Sequence, residues 1–240
     1  MKYTQPLVSF VVPCGKEPHR IVSALLAIDA YCAQKNLSYE ILVITYTTDS
    51  HTREVIHRCQ TIVPHVRVLD SKTTHIGLAI QKGMLDARGL IRIYTPPLCA
   101  SLVHLYELTE TYFRKGYDVV VGSRFTSENK KTREVQVERI FQRIQVFILS
   151  LCVSDIGSGW TAYSQKSALS IFPHTTISSD LVIGESLFIA RQAGMRIKEI
   201  PLTASIRMWK NTTQFITKIV DAIHIQIKNM FHIYPPKKGL

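Results

Sequence analysis

Asp118-Val119-Val120-Val121-Gly122-Ser123-Arg124 is an apolar run closed by Gly-Ser-Arg. Beyond a basic, partly apolar stretch with helical spacing comes Ser154-Asp155-Ile156-Gly157-Ser158-Gly159-Trp160-Thr161-Ala162-Tyr163. The first segment reads as a buried strand. The second places an acidic residue, Asp155, four positions ahead of a Gly-aromatic pair. A strand, a long helix and this acidic turn together make the segment around which the chain is organised.

Upstream, short apolar runs alternate with helical patterns. Strands are expected over Leu7–Pro13, Tyr39–Tyr46, His65–Leu69, Leu90–Tyr94 and Tyr117–Arg124. Helices are expected over Pro18–Leu37, from an Asp49 cap to Val63, over His75–Arg88 and over Leu102–Lys115. This alternation implies a mostly parallel sheet covered on both faces, with ligands bound beyond the carboxyl ends of its strands. Downstream, Ser127–Arg139 reads as a mobile basic loop leading into a helix that ends near Val153. A helix at Leu181–Ala193 and a strand at Met195–Leu202 follow. Thr212–Tyr234 is an amphipathic helix with Phe215, Ile216, Ile219, Val220, Ile223, Ile227, Met230, Phe231 and Tyr234 on one face and Lys218, Asp221, His224 and Lys228 on others. The expected division is a domain over 1–211 and a C-terminal helix with a basic tail over 212–240.

The totals narrow the classes. The chain has 240 residues, 46% of them hydrophobic, which suits a globular protein with a sizeable core. Its 5 cysteines are scattered without metal or redox spacing, and read as reduced thiols in a cytosolic protein. Its 9 histidines form no zinc pattern. The start lacks the apolar core of a signal peptide, and no run of roughly 18 apolar residues suggests a membrane span. The net charge of +11 points to an anionic partner. There is no nucleic-acid motif, so a membrane surface or a phosphorylated lipid is preferred.

The ordered motifs resemble family-2 glycosyltransferases, specifically the dolichyl- or polyprenyl-phosphate sugar synthases. Val11-Val12-Pro13 with Glu17 is similar to the family's opening strand and glutamate, and Tyr39-Glu40-Ile41-Leu42-Val43 to its second strand. Gly83-Met84 with Ala87-Arg88-Gly89, then Gly122-Ser123-Arg124, then Asp155 with Ser158-Gly159-Trp160, and finally Glu199-Ile200-Pro201 with Arg207 follow in the family's order. The resemblance spans Leu7 to Phe215. It implies an α/β fold of the nucleotide-diphospho-sugar transferase (GT-A) type, with a mostly parallel sheet and helices on both faces.

The resemblance also implies a donor site built on two acidic pairs. One follows the second strand and binds the nucleoside; the other follows the fourth and holds a divalent metal on the diphosphate. Here Thr45 and Tyr46 stand at the first position, and Thr95, Pro96 and Pro97 at the second. A metal contributes several kcal/mol to such chemistry, so its loss would slow the reaction roughly a thousandfold or more. The expectation is therefore that the ancestral metal site is lost and that no cofactor is held.

For the remaining candidates two readings stay open. Asp155 is the surviving acid near the sugar, or a residue bonding backbone amides of the turn through Gly157 and Gly159. Glu17 and Arg124 are vestigial nucleotide contacts, or stabilisers of their loops. Arg133, Arg139, Arg143 and Arg207 bind lipid phosphate or membrane head groups, or form a solvated face. The leading expectation is a pseudoenzyme: a non-catalytic partner of an active glycosyltransferase, peripheral on the cytosolic face of a membrane. The alternatives are a divergent metal-independent transferase acting on a polyprenyl phosphate, and a membrane-surface adaptor without a glycosylation role.

Overall fold

Every residue of Val8–Cys14 (β1) and Tyr39–Thr45 (β2) is buried. Strands covered on both faces cannot alternate apolar with polar, which is why both read as continuous apolar runs. The computed structural model describes residues 6–15, 18–63, 65–97, 105–125, 133–202, 212–231 and 234, with backbone alone at 18–19, 133–135 and 212–215. The other strands are Val66–Asp70 (β3), Ile91–Tyr94 (β4), Val119–Ser123 (β5), Thr161–Ser164 (β6) and Ile197–Pro201 (β7). The helices are Pro18–Gln34 (α1), Ser50–Ile62 (α2), Ile76–Asp86 (α3), Tyr106–Arg114 (α4), Arg133–Ile148 (α5), Gln165–Ile171 (α6), Val182–Gln192 (α7) and Thr212–Met230 (α8).

The strands form one sheet in the order β3-β2-β1-β4-β6-β5-β7. β6 runs antiparallel to both its neighbours; the other pairings are parallel. The pleat sorts side chains into two cores. Phe10, Val12, Ile41 and Val43 face α1, α2 and α4, with Trp160 among them. Val11, Leu42 and Ile44 face α3 and the layer holding α6, α7 and α8. Burial pushes the Cys14 and Cys32 thiols up to about 12, so both are inert at neutral pH.

At the amino ends of the strands a polar network ties the layers. The Glu40 carboxylate accepts from Ser9 Oγ at 2.6 Å, the Arg88 amide at 2.6 Å and Arg67 Nε at 3.2 Å. The Gly89 amide donates to Ser9 Oγ at 2.7 Å. A Cβ on Gly89 would lie 2.5 Å from the Ser9 nitrogen, so the Ala-Arg-Gly ending of this loop is a packing requirement.

Three sequence expectations are corrected. The short β6 lies where only a motif turn was expected. The loop expected to reach Arg139 is already helical from Arg133, while residues 126–132 lie outside the described ones. The following helix stops at Ile148 rather than near Val153. Ser150 takes a left-handed φ of 49°, and the Leu151 amide bonds back to the Val146 carbonyl at 2.9 Å, which closes the helix.

Candidate functional site

Chain order reverses at β1: β2 and β3 lie on one side and β4 on the other. The crevice at the carboxyl ends of β1 and β4 is where such sheets take ligands. On the β2 side, Thr45 is buried, and its carbonyl accepts from the Ser71 amide at 3.0 Å and Ser71 Oγ at 2.7 Å. The Tyr46 amide donates to the Cys14 carbonyl at 3.0 Å. The Tyr46 ring lies on Gly15, so closely that a Cβ there would meet its hydroxyl at 2.8 Å. At the end of β4, Thr95 and Pro96 are buried and Pro97 is half-buried. Thr95 Oγ1 has no partner among the described residues.

These positions offer two hydroxyls, a phenol and two prolines, and none of the carboxylates that ordinarily anchor a hard divalent cation. Nor do three or more His, Cys, Asp or Glu side chains gather to hold a metal anywhere among the described residues. The residues at the end of β4 do not fit the metal that the fold would place there.

The charged groups lie instead at the ends of β5 and β6. Arg124 and Asp155, far apart in sequence, are brought together and buried. Asp155 accepts from Arg124 Nε at 2.8 Å, Arg124 Nη2 at 2.9 Å, the Arg124 amide at 3.0 Å and the Gly157 amide at 3.0 Å. Arg124 Nη1 donates to Glu138 of α5 at 2.6 Å. Burial disfavours the guanidinium cation, but Asp155 and Glu138 outweigh it, and the pKa of Arg124 rises. Burial raises the Glu138 carboxyl, Arg124 opposing and Asp155 adding to the rise. Beside this cluster, buried Lys218 of α8 donates to Asp180 at 2.6 Å. Burial lowers its pKa against the pull of Asp180. Fully ionised, two cations (Arg124, Lys218) face three carboxylates (Asp155, Glu138, Asp180). Among the described residues of the cluster the carboxylates outnumber the cations by one, and burial works against the ionised form of Glu138.

The inward stripe of α5 is polar: Glu138, Gln142 and Gln145, one helical turn apart, are all buried. Gln142 Oε1 accepts from the Ile156 amide at 3.3 Å, while both amide atoms of Gln145 lack a partner among the described residues. Gln145 lines a small cavity with Tyr94, Gly157, Gly159, Asp180 and Lys218. About 20 Å³ is open to the centre of a water-sized molecule, room for roughly one or two waters. Sequence reading did not single out Glu138, Gln142, Gln145, Asp180 or Lys218 as a group. The available signal was the polar spacing 138, 142, 145 on a helix that also carries an apolar face. Lys218, assigned from sequence to a polar face of its helix, is buried.

Among the other candidates, Arg139 is half-buried, its guanidinium 5.1 Å from the Phe125 ring centre, with Nη2 donating to the Phe125 carbonyl at 3.3 Å. Arg143 is exposed on α5. Glu17, Arg207 and the Arg133 side chain lie outside the described residues. Asp49 caps α2, accepting from the Thr52 amide at 2.9 Å. Glu199 accepts from the Ser154 amide at 2.8 Å and Ser154 Oγ at 2.6 Å, anchoring the loop ahead of Asp155.

Sheet order, the antiparallel β6 and the crevice together define a GT-A nucleotide-sugar transferase fold. Glucosyl-3-phosphoglycerate synthase from Mycobacterium tuberculosis, solved in complex with Mn2+, UDP-glucose and phosphoglyceric acid, shares this fold. The TM-score is 0.65 at 14% identity, covering 96% of this chain and 81% of that one. In sequence, the chain is similar to two dolichyl-phosphate beta-glucosyltransferases of Trichomonas vaginalis. It is 24% identical to ALG5A over 208 residues and 24% identical to ALG5C over 210 residues, each match covering 81% of this chain. The chain spans 64% and 62% of the length of those relatives. No family model matches. The protein is glycosyltransferase-like and similar to family-2 dolichyl-phosphate sugar synthases.

Proposed function

We propose that this chain is a catalytically degenerate glycosyltransferase-like protein that acts as the non-catalytic partner of an active lipid-linked sugar transferase at the cytosolic surface of a membrane. One observation carries the reading: the positions after β2 and β4 where the acidic pairs are expected hold Thr45, Tyr46, Thr95, Pro96 and Pro97, while the described strands around them keep the framework. Tyr46 lies on Gly15, and Thr95 and Pro96 close the end of β4. Two of the charged residues that match the family, Arg124 and Asp155, bond each other. The partner of this reading is an active glycosyltransferase of similar fold.

Calorimetry of the chain with UDP-glucose and GDP-mannose, with and without Mn2+, tests it. No heat of binding in either condition is expected, and no sugar transfer to polyprenyl phosphate. Metal-dependent turnover would overturn the reading.

A second reading, a metal-independent transferase acting on a lipid phosphate, is favoured by Lys218. Lys218 lines the cavity together with Tyr94, and a cation released there from Asp180 could take over the neutralising role of a metal. The cavity holds only about a water or two, so α8 would have to move before a diphosphate could enter. Metal-independent turnover abolished by Lys218→Met would establish this reading; absence of turnover removes it.

A further inference from the structure

β7 closes one side of the sheet: among the described residues it pairs with β5 and with no other strand. The Arg196 carbonyl accepts from the Val119 amide at 3.2 Å, and the Leu202 amide donates to the Ser123 carbonyl at 2.8 Å. Backbone groups alternate in direction along a strand, so Lys198 and Ile200 also face β5, and Ile197 and Glu199 turn their amides and carbonyls outward. No hydrogen bond reaches those outward groups among the described residues. Pro201 has no amide and ends the usable edge.

The same alternation puts the Arg196 and Lys198 side chains on one face, towards α4. Two rings stand there edge to face, Tyr112 of α4 and Tyr117, with centres 5.6 Å apart at 88°. The Arg196 guanidinium lies 4.4 Å from the Tyr117 ring centre, and Lys198 Nζ and Lys115 Nζ lie 5.1 and 5.5 Å from that of Tyr112. Arg196 Nη1 also donates to the Lys115 carbonyl at 3.1 Å, which fixes its direction. None of these three cations pairs with a carboxylate among the described residues, whereas Lys35, Arg53, Arg58 and Arg67 each do. The adjacent Asp118 carboxylate accepts from the Arg196 backbone amide at 2.9 Å.

We infer that this edge takes an extended acidic segment of a partner protein. The backbone of the segment pairs with Ile197 and Glu199, and its carboxylates, at alternate positions, meet Arg196 and Lys198. The inference adds a contact to the partner reading above and does not depend on the loss of catalysis. The site lies at the amino ends of β5 and β7, at the opposite end of the sheet from the Arg124–Asp155 cluster. A lysine on an edge strand ordinarily guards it by standing in solvent. Here Lys198 is half-buried over the Tyr112 ring, on the α4 side of the edge. A peptide answers an edge that offers amides and carbonyls together, and a nucleic acid does not. Residues two apart on a strand are roughly 6–7 Å apart, so Arg196 and Lys198 match alternate side chains of an added strand.

Fluorescence anisotropy of the full chain with a fluorescein-labelled peptide of alternating Glu and Val tests the inference. Binding is expected, weaker at high salt, and absent when Lys replaces Glu in the peptide. Amide exchange should slow at Ile197 and Glu199 when the peptide is bound. The double substitution Arg196→Glu, Lys198→Glu should lower affinity by roughly tenfold or more. Lys115→Glu, at an exposed position that leaves the strand untouched, should lower it a few-fold. Lys166→Glu on α6, also exposed, should change nothing. Binding that survives both the double substitution and Lys115→Glu overturns the inference. So does protection that spares Ile197 and Glu199, or a peptide with all its Glu residues in one block that binds equally well. Nucleotide-sugar calorimetry plays no part in this readout, so the two proposals fail separately.

Discussion

The sheet buries an ionic network at each end, and the two are built differently. At the amino end, Glu40 accepts from a hydroxyl, a backbone amide and the Arg67 guanidinium, which itself remains partly solvated. At the carboxyl end, Arg124 faces two carboxylates in near-complete burial, with Lys218 and Asp180 alongside. Gln145 stands nearby without a partner among the described residues. The amino-end network matches each charge to donors it can use and serves the scaffold. The carboxyl-end cluster carries more charge than a fold needs for stability, since buried ion pairs contribute little net of desolvation. That cluster sits at the edge where sheets of this kind take ligands.

The largest expected effect sharpens this contrast. Asp155→Asn leaves Arg124 without its bidentate partner and should destabilise the fold by about 3–5 kcal/mol in chemical denaturation. A loss below about 1 kcal/mol would mean that the cluster is wetter than its burial indicates. Glu40→Ala should cost less, about 2–3 kcal/mol, because Arg67 can turn to solvent while the Ser9 hydroxyl and Arg88 amide lose their acceptor. If it proved the costlier of the two, the roles assigned to the ends of the sheet would be reversed.

Glu138→Gln should have the smallest effect, within about 1 kcal/mol at neutral pH, because Gln keeps an acceptor for Arg124 and burial already opposes the ionised carboxylate. The pH dependence gives the sign. A carboxyl whose folded pKa is raised contributes stability below its unfolded value, and that contribution is lost as pH rises through the folded value. The stability of the Gln variant relative to wild type should therefore improve from about pH 4.5 towards neutrality. Denaturation midpoints at several pH values read this directly; a difference that moves the other way would mean that Arg124 holds Glu138 ionised.

Much of the scaffold was legible because buried parallel strands leave a one-dimensional trace. Val8–Cys14 and Tyr39–Thr45 are apolar runs flanked by punctuation, and Asp49 announced α2. β6 left little trace: Thr161-Ala162-Tyr163-Ser164 is too short for a period and was legible only as part of a motif. The end of α5 was obscured by the apolar run on to Val153, because Ser150 gives no glycine-like warning of a left-handed turn. In the site, the lack of carboxylates at Thr45, Tyr46, Thr95, Pro96 and Pro97 was readable. The engagement of Arg124 by Glu138, and the burial of Lys218, were not.

The sequence by itself determined the strand–helix alternation, the order of its motifs and the residue types at the donor-side positions, because these are local patterns of polarity and backbone preference. Only the tertiary structure decided which charges meet. Asp155 binds Arg124 across 31 residues, and Lys218 reaches Asp180 across 38. It also decided which side of α8 is buried. An amphipathic pattern records that a helix has two faces, but its neighbours settle which face the core takes. Here α5 and α7 accept the face bearing Ala222, Ile225 and Lys218, and leave the row from Ile216 to Phe231 outside.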